Sequence, residues 1–197
     1  MRRTIAVVAV ALTLSGRLPV RAAVTELERQ RLVAHLDMTA RWLVDEVSGL
    51  TSAQIEFRTA PDSWTISEVI EHLVVVAPIY WQDLQAAVNQ PPGDPSGWMT
   101  DADVLWYGID RTRREQAIPT ERPTGQLHDL RAGLDTLRAH HDRLRDYAAT
   151  TPVDLRAHRV QRQRCDAYQW ALMISAHEQR HVLQIREIKA DPKFPKV

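Results

Sequence analysis

Residues 176–181 read Ala-His-Glu-Gln-Arg-His, which sets His177 and His181 one helical turn apart. Imidazoles at i and i+4 share a helix face and can both reach one cation, at N–metal distances of about 2.0–2.1 Å for zinc. Two ligands seldom complete a site. His72 lies in the middle of another apolar stripe, between Val69 and Val76. If its helix neighbours the helix of His177, three rings meet in the interior and leave coordination positions free for water or substrate. The opposing reading is a set of core histidines, each hydrogen-bonded to its surroundings. Against it, burying two imidazoles without partners costs roughly 1–3 kcal/mol each. His35 shares an inward row and is the reserve ligand. His140 and His141 are adjacent, point to different faces and cannot chelate together. His128 and His158 read as rim residues.

The same stretch fits H-E-x-x-H, in which two histidines bind zinc and Glu178 serves as general base of a metalloprotease. Such a site also needs a ligand downstream. Only Glu187 is on offer, and Gln184 stands where the longer motif requires glycine. Glu178 lies about 100° around the helix from His177, so a salt bridge with a neighbouring arginine is its expected role. Gln184 falls on nearly the face of His181 and could hold a ligand ring through its amide, or serve as a bundle-rim residue. Trp64, Tyr80, Trp81, Tyr168 and Trp170 are the aromatic residues able to wall a pocket nearby, or to fill core.

Four long amphipathic helices are predicted to position these groups. The first spans about Thr25 to Val47 and stops near Gly49, and residues 51–64 follow as a loop. Thr65 and Glu68 form a capping box that opens the second helix, which should bend at Pro78, where an amide is missing. Residues 89–98 are rich in Pro and Gly and read as loop. A shorter helix is expected from Asp101 to about Gln116. The third long helix starts near Thr124 and carries Leu127, Leu130, Leu134, Leu137, His141 and Leu144 on one side. After a connector, Asp166 and Gln169 cap the fourth, which runs to about Ala190 with Trp170, Ile174, His177, His181, Ile185 and Ile188 inward.

With 197 residues, 44% hydrophobic and 25% charged, the chain suits one globular, all-α domain, and only 7 Gly occur. Residues 1–22 have a basic start, an apolar run too short to span a bilayer and small residues near Ala22, the layout of a cleavable signal peptide. Residues 23–197 would then form the domain, exported to the periplasm or beyond. A leader that stays and docks on the domain would leave the protein cytoplasmic. The first 22 residues hold four Arg and no acid, so the rest carries a formal charge of −4 within a neutral whole. That balance argues against nucleic acid as a partner. No cysteine lies near the cleavage point, which argues against a lipid anchor. Cys165 is the only cysteine, so a metal must rest on His and carboxylate.

"DSWTISEVIEHL", followed about a hundred residues later by "DAYQWALMISAHEQRHVLQIREIKADPKFP", resembles the DinB/YfiT-like superfamily of four-helix bundles with a His-rich metal site. The resemblance implies His72, His177 and His181 as ligands of one divalent metal. Zinc, nickel, iron, copper and manganese are all compatible with the site. It also implies activation of water or a low-molecular-weight thiol for hydrolysis, isomerisation or transfer. A small-molecule substrate and a homodimer are compatible with the sequence. The chain departs from that pattern after His72, where "LVVVAPIYW" offers no acid a turn further on. Export would also separate it from cytoplasmic thiols. The alternative expectation is therefore a non-catalytic metal- or ligand-binding bundle.

Overall fold

The computed structural model describes residues 23–93 and 99–196. The proposed leader, residues 1–22, lies outside them, as does the 94–98 part of the predicted loop. Helices α1 (Glu26–Val47), α3 (Ile66–Val88), α5 (Leu130–Thr150) and α6 (Ala167–Lys189) have 21 to 23 residues each. At about 1.5 Å per residue they match at roughly 32–35 Å and can pack along their whole lengths. Around the bundle, α1 touches α6 and α5, and α3 touches α5 and α6, so α1 faces α3 across the core. Tyr80 late in α3 meets Trp170 early in α6, while His72 early in α3 meets His181 late in α6; these two helices run antiparallel.

The capping boxes read from Thr65/Glu68 and Asp166/Gln169 are both formed. Equivalent boxes at Thr25/Glu28 and Thr100/Asp103 start α1 and α4 (Asp101–Ile109). Each gives two free amides of a helix start an acceptor. Gly49 takes φ +73° just beyond α1, where a side chain would be strained.

Several boundaries depart from the periodicity. Residues 52–55 form a one-turn helix, α2 (Ser52–Ile55), inside the predicted loop, because Thr51 and Gln54 make their own capping box. Helix α4 stops at Ile109, well short of Gln116. Asp110 accepts from the amide and hydroxyl of Thr112, and the Arg180 guanidinium takes the carbonyls of Tyr107, Asp110 and Arg113, so the chain satisfies its acceptors without another helical turn. Helix α5 starts at Leu130, not near Thr124, with Asp129 as its cap. The intervening amides of Thr124, Gly125 and Gln126 all donate to the buried Glu71 carboxylate, which holds them in a turn. A 3-10 turn, Pro119–Glu121, and a short hairpin of two-residue strands, β1 (Arg159–Val160) with β2 (Cys165–Asp166), occupy the connectors. Helix α3 continues through Pro78.

Helix α6 is buried nearly all round, because α4 covers the side that the bundle leaves open. That contact is close. A Cβ on Gly108 of α4 would lie 3.0 Å from the Ala176 carbonyl oxygen. The core falls into two apolar clusters. One gathers Leu32, Leu36, Val76, Leu84 and Trp170, and the other Leu43, Val69, Ile70, Val182 and Ile185. His72 and His177 fall in the chain between members of the two, which makes the candidate site a polar layer at their seam. No helix among the described residues is long and apolar enough to cross a membrane.

Candidate metal centre

His72 on α3 and His177 and His181 on α6 are all buried and meet at one point. His72 Nε2 is 3.3 Å from His177 Nε2, which is 3.1 Å from His181 Nε2. Their outer nitrogens are spoken for. His72 Nδ1 lies 2.6 Å from the Glu121 carbonyl oxygen, an acceptor only, so Nδ1 carries the proton. His181 Nδ1 donates to Gln184 Oε1 at 2.9 Å. Both rings therefore turn a bare Nε2 lone pair inward, and a proton on His177 Nε2 can serve only one of the two.

A cation shared by the three rings would resolve that conflict. Three neutral imidazoles about 2.05 Å from one tetrahedral ion would hold their nitrogens about 3.3 Å apart, close to the 3.3 and 3.1 Å of the two contacts. Burial, reinforced by the neighbouring positive groups, lowers the His177 pKa to about 3 and holds His181 well below its ordinary value. Burial also lowers His72, against the pull of the Glu121 carbonyl. Neutral rings are the ligand-competent form. The donor set and its spacing thus fit one divalent ion held by His72, His177 and His181.

The surroundings brace the rings. The Trp64 indole stacks on His181 at 6.3 Å and 17° and lies 5.0 Å from His72, while Tyr80 packs at 5.4 Å on His177. Glu121 is buried, and its side chain pairs with Arg162 of the hairpin. Of the remaining aromatic candidates, Trp81 meets Tyr147 and lines a pocket, and Trp170 is core, donating to the Tyr80 carbonyl. Tyr168 stands apart, beneath Arg156 at 3.9 Å.

Other sequence expectations change. His35 is no reserve ligand: its Nδ1 lies 2.7 Å from Ser175 Oγ, on the α1 side of α6. Glu178 makes no ion pair with an arginine among the described residues. It accepts from Thr39 Oγ1 at 2.9 Å, and burial raises its pKa. Its position beside His177 carries it inward, because α1 packs on that side. His128 is exposed and His158 binds the Gln90 carbonyl, as rim residues do. The Glu121 carbonyl was not foreseeable, since any residue supplies one, and only the irregular path of the 110–129 connector brings it to His72.

Beside the triad lies a pocket walled by Leu36, Leu73, Val76, Leu144, Ile174 and His177. A groove between α1 and α5 adjoins it. Glu178, His141 and Leu137 line both. His141 Nε2 is buried there and has no hydrogen-bond partner among the described residues, a state that costs roughly 1–3 kcal/mol.

Comparison with known proteins agrees with this architecture. The family model of the DinB superfamily matches residues 25–185. No curated protein matches the chain. Among solved structures, YfiT from Bacillus subtilis is similar with a TM-score of 0.57 and 14% identity, over 89% of this chain and 93% of that one. At that identity the likeness is one of fold. That protein is described as a probable metal-dependent hydrolase with an unusual four-helix bundle topology.

Proposed function

The chain belongs to the DinB superfamily, and on that premise we propose that it is a metal-dependent enzyme acting on a small molecule by hydrolysis or transfer. His72, His177 and His181 hold one divalent ion, and the nucleophile is a water or a small thiol. The observation that carries this reading is the convergence of three buried Nε2 atoms, two of them with their Nδ1 protons already donated elsewhere. A bound divalent ion supplies Lewis acidity there, which lowers the pKa of the small acid it meets. The chain's own residues do the rest. Glu121 and Gln184 fix the tautomers of two ligands, and Trp64 shields one side of the site from water.

A bundle that binds metal without turnover is the second reading, supported by a donor cluster that contains no carboxylate. A zincin-like protease fits poorly. The third histidine comes from α3, upstream of the pair, and Glu178 is engaged by Thr39. We place the activity outside the cytoplasm, on the leader-like composition of residues 1–22. N-terminal sequencing from the native host should find the chain starting near Ala23; an intact Met1 would reverse that placement.

The deciding experiment is elemental analysis of protein from its own host, followed by hydrolase and thiol-transfer assays of the wild type and His181→Ala. About one metal per chain, lost together with activity in the variant, supports the enzyme. Metal with no activity to lose supports the binding module.

A further inference from the structure

Helix α5 is the least buried wall of the bundle, with Leu134 and Leu137 only partly covered, while the His141 side chain is 11% exposed. Behind it lies the apolar pocket, with about 60 Å³ of room, and outside that the α1/α5 groove, with about 470 Å³. The two share Leu137, His141 and Glu178, and the inner one ends on the His177 ring. They adjoin along these three side chains, as two halves of a candidate path. At the passage between them stand two polar groups with different needs. His141 presents a nitrogen without a partner, and Glu178 a carboxyl steadied by Thr39. The rest of the inner lining is apolar apart from histidine rings, the Tyr80 phenol and the Trp81 indole.

We propose that this path is the substrate channel of the metal centre. It admits an uncharged amphiphile with a short alkyl body and a donor–acceptor head of the carboxamide type. The body fills the space among Leu36, Leu73, Val76, Leu144 and Ile174, and the head pairs with His141 and Glu178. This rests on the metal-dependent reading above, from which it takes its destination. Charge selects the class. Any charged head would be desolvated among the apolar walls of the inner pocket, and a cationic one would also approach a divalent ion held by His177. The groove outside is nearly balanced in charge: Asp37, Asp45, Asp142 and Glu178 line it with Arg41 and Arg138, and Asp37 is already paired with Arg145. Few polar groups converging in an apolar cleft is the usual build of a small-molecule site.

The test is a methyl-NMR titration of the full chain loaded with zinc. Its probes are acetamide, butyramide, hexanamide, hexanoate and hexylamine, read at Leu36, Leu73 and Ile174. Affinity should rise about fourfold per methylene from acetamide to butyramide, the effect of burying each CH₂. Hexanamide should outbind both charged six-carbon probes. Ala77→Phe, which fills the pocket, should remove the chain-length dependence. A flat series, preference for a charged head, or unchanged shifts in a folded Ala77→Phe would overturn the channel. If that variant does not fold, the wild-type series decides alone. Zinc content is measured on the same samples. One zinc per chain with a flat series sinks the channel only, whereas a chain-length dependence without zinc supports the pocket and sinks the metal reading.

Discussion

At the scale of single residues, the site is built from neutral rings, and that has a pH signature. Unfolded imidazoles take up protons below about 6.5, whereas folded His177 stays neutral down to about 3, and His72 and His181 are lowered too. Between those limits the unfolded state binds more protons. The histidines' contribution to the stability of the metal-free protein is therefore fully present above about pH 6.5 and is lost as pH falls, toward 3 for His177, by up to about 1.4 kcal/mol per pH unit for each proton taken up. Thermal melts in chelator from pH 7.5 to 4.5 should show this slope, shallower in His177→Gln; an equal slope in the variant would count against it. Gln184→Leu removes the acceptor of His181 Nδ1 and should weaken zinc binding about 10- to 100-fold in a competition titration, with the melting temperature nearly unchanged. Cys165, buried with its thiol pushed up to about 12, should resist a thiol reagent at pH 8 until the protein unfolds. The histidine pair and its Gln were legible in the sequence because i, i+4 spacing fixes a shared face. Glu178 was misjudged because helix periodicity gives an angle but not the neighbour standing there.

Among elements, Arg156 ties three helix starts together. Its guanidinium meets Glu28 in the first turn of α1 at 2.6 Å, Asp101 at the start of α4 at 2.8 Å and the α6 cap Asp166 at 3.2 Å. Carboxylates at helix N-termini are favoured by the helix dipole, and the arginine offsets their mutual repulsion. Arg156→Ala would leave these acids without their shared partner and should cost about 3–5 kcal/mol in urea unfolding; a loss under about 1 kcal/mol would refute the clamp. Gly108→Val should also destabilise, by lifting α4 from Ala176. The long helices were readable from their apolar stripes and capping boxes. The end of α4 and the start of α5 were not, because Arg180 ends the one and Glu71 delays the other from distant positions in the chain.

For the whole molecule, metal binding and folding are linked, since three ligands from two helices converge only in the native state. At a free zinc concentration about 100 times Kd, the ion should add about 2.7 kcal/mol, or roughly 5–11 °C in melting temperature for a chain of this size. Addition of chelator should reverse the gain, and no shift on loading would deny the shared site. That α3 and α6 would be neighbours was a matter of topology, which four amphipathic stripes leave open. The apolar path along α5 was equally hidden, because periodicity marks Leu137 as inward without telling how far the helix stands from the core.

The grip on His72 comes from a main-chain oxygen, that of Glu121. Alanine scanning is blind to such a contact, and position 121 can drift without breaking it. Only an edit of the peptide linkage itself, such as an ester replacing the amide between Glu121 and Arg122 to make that oxygen a poorer acceptor, would loosen the imidazole while every side chain stayed in place.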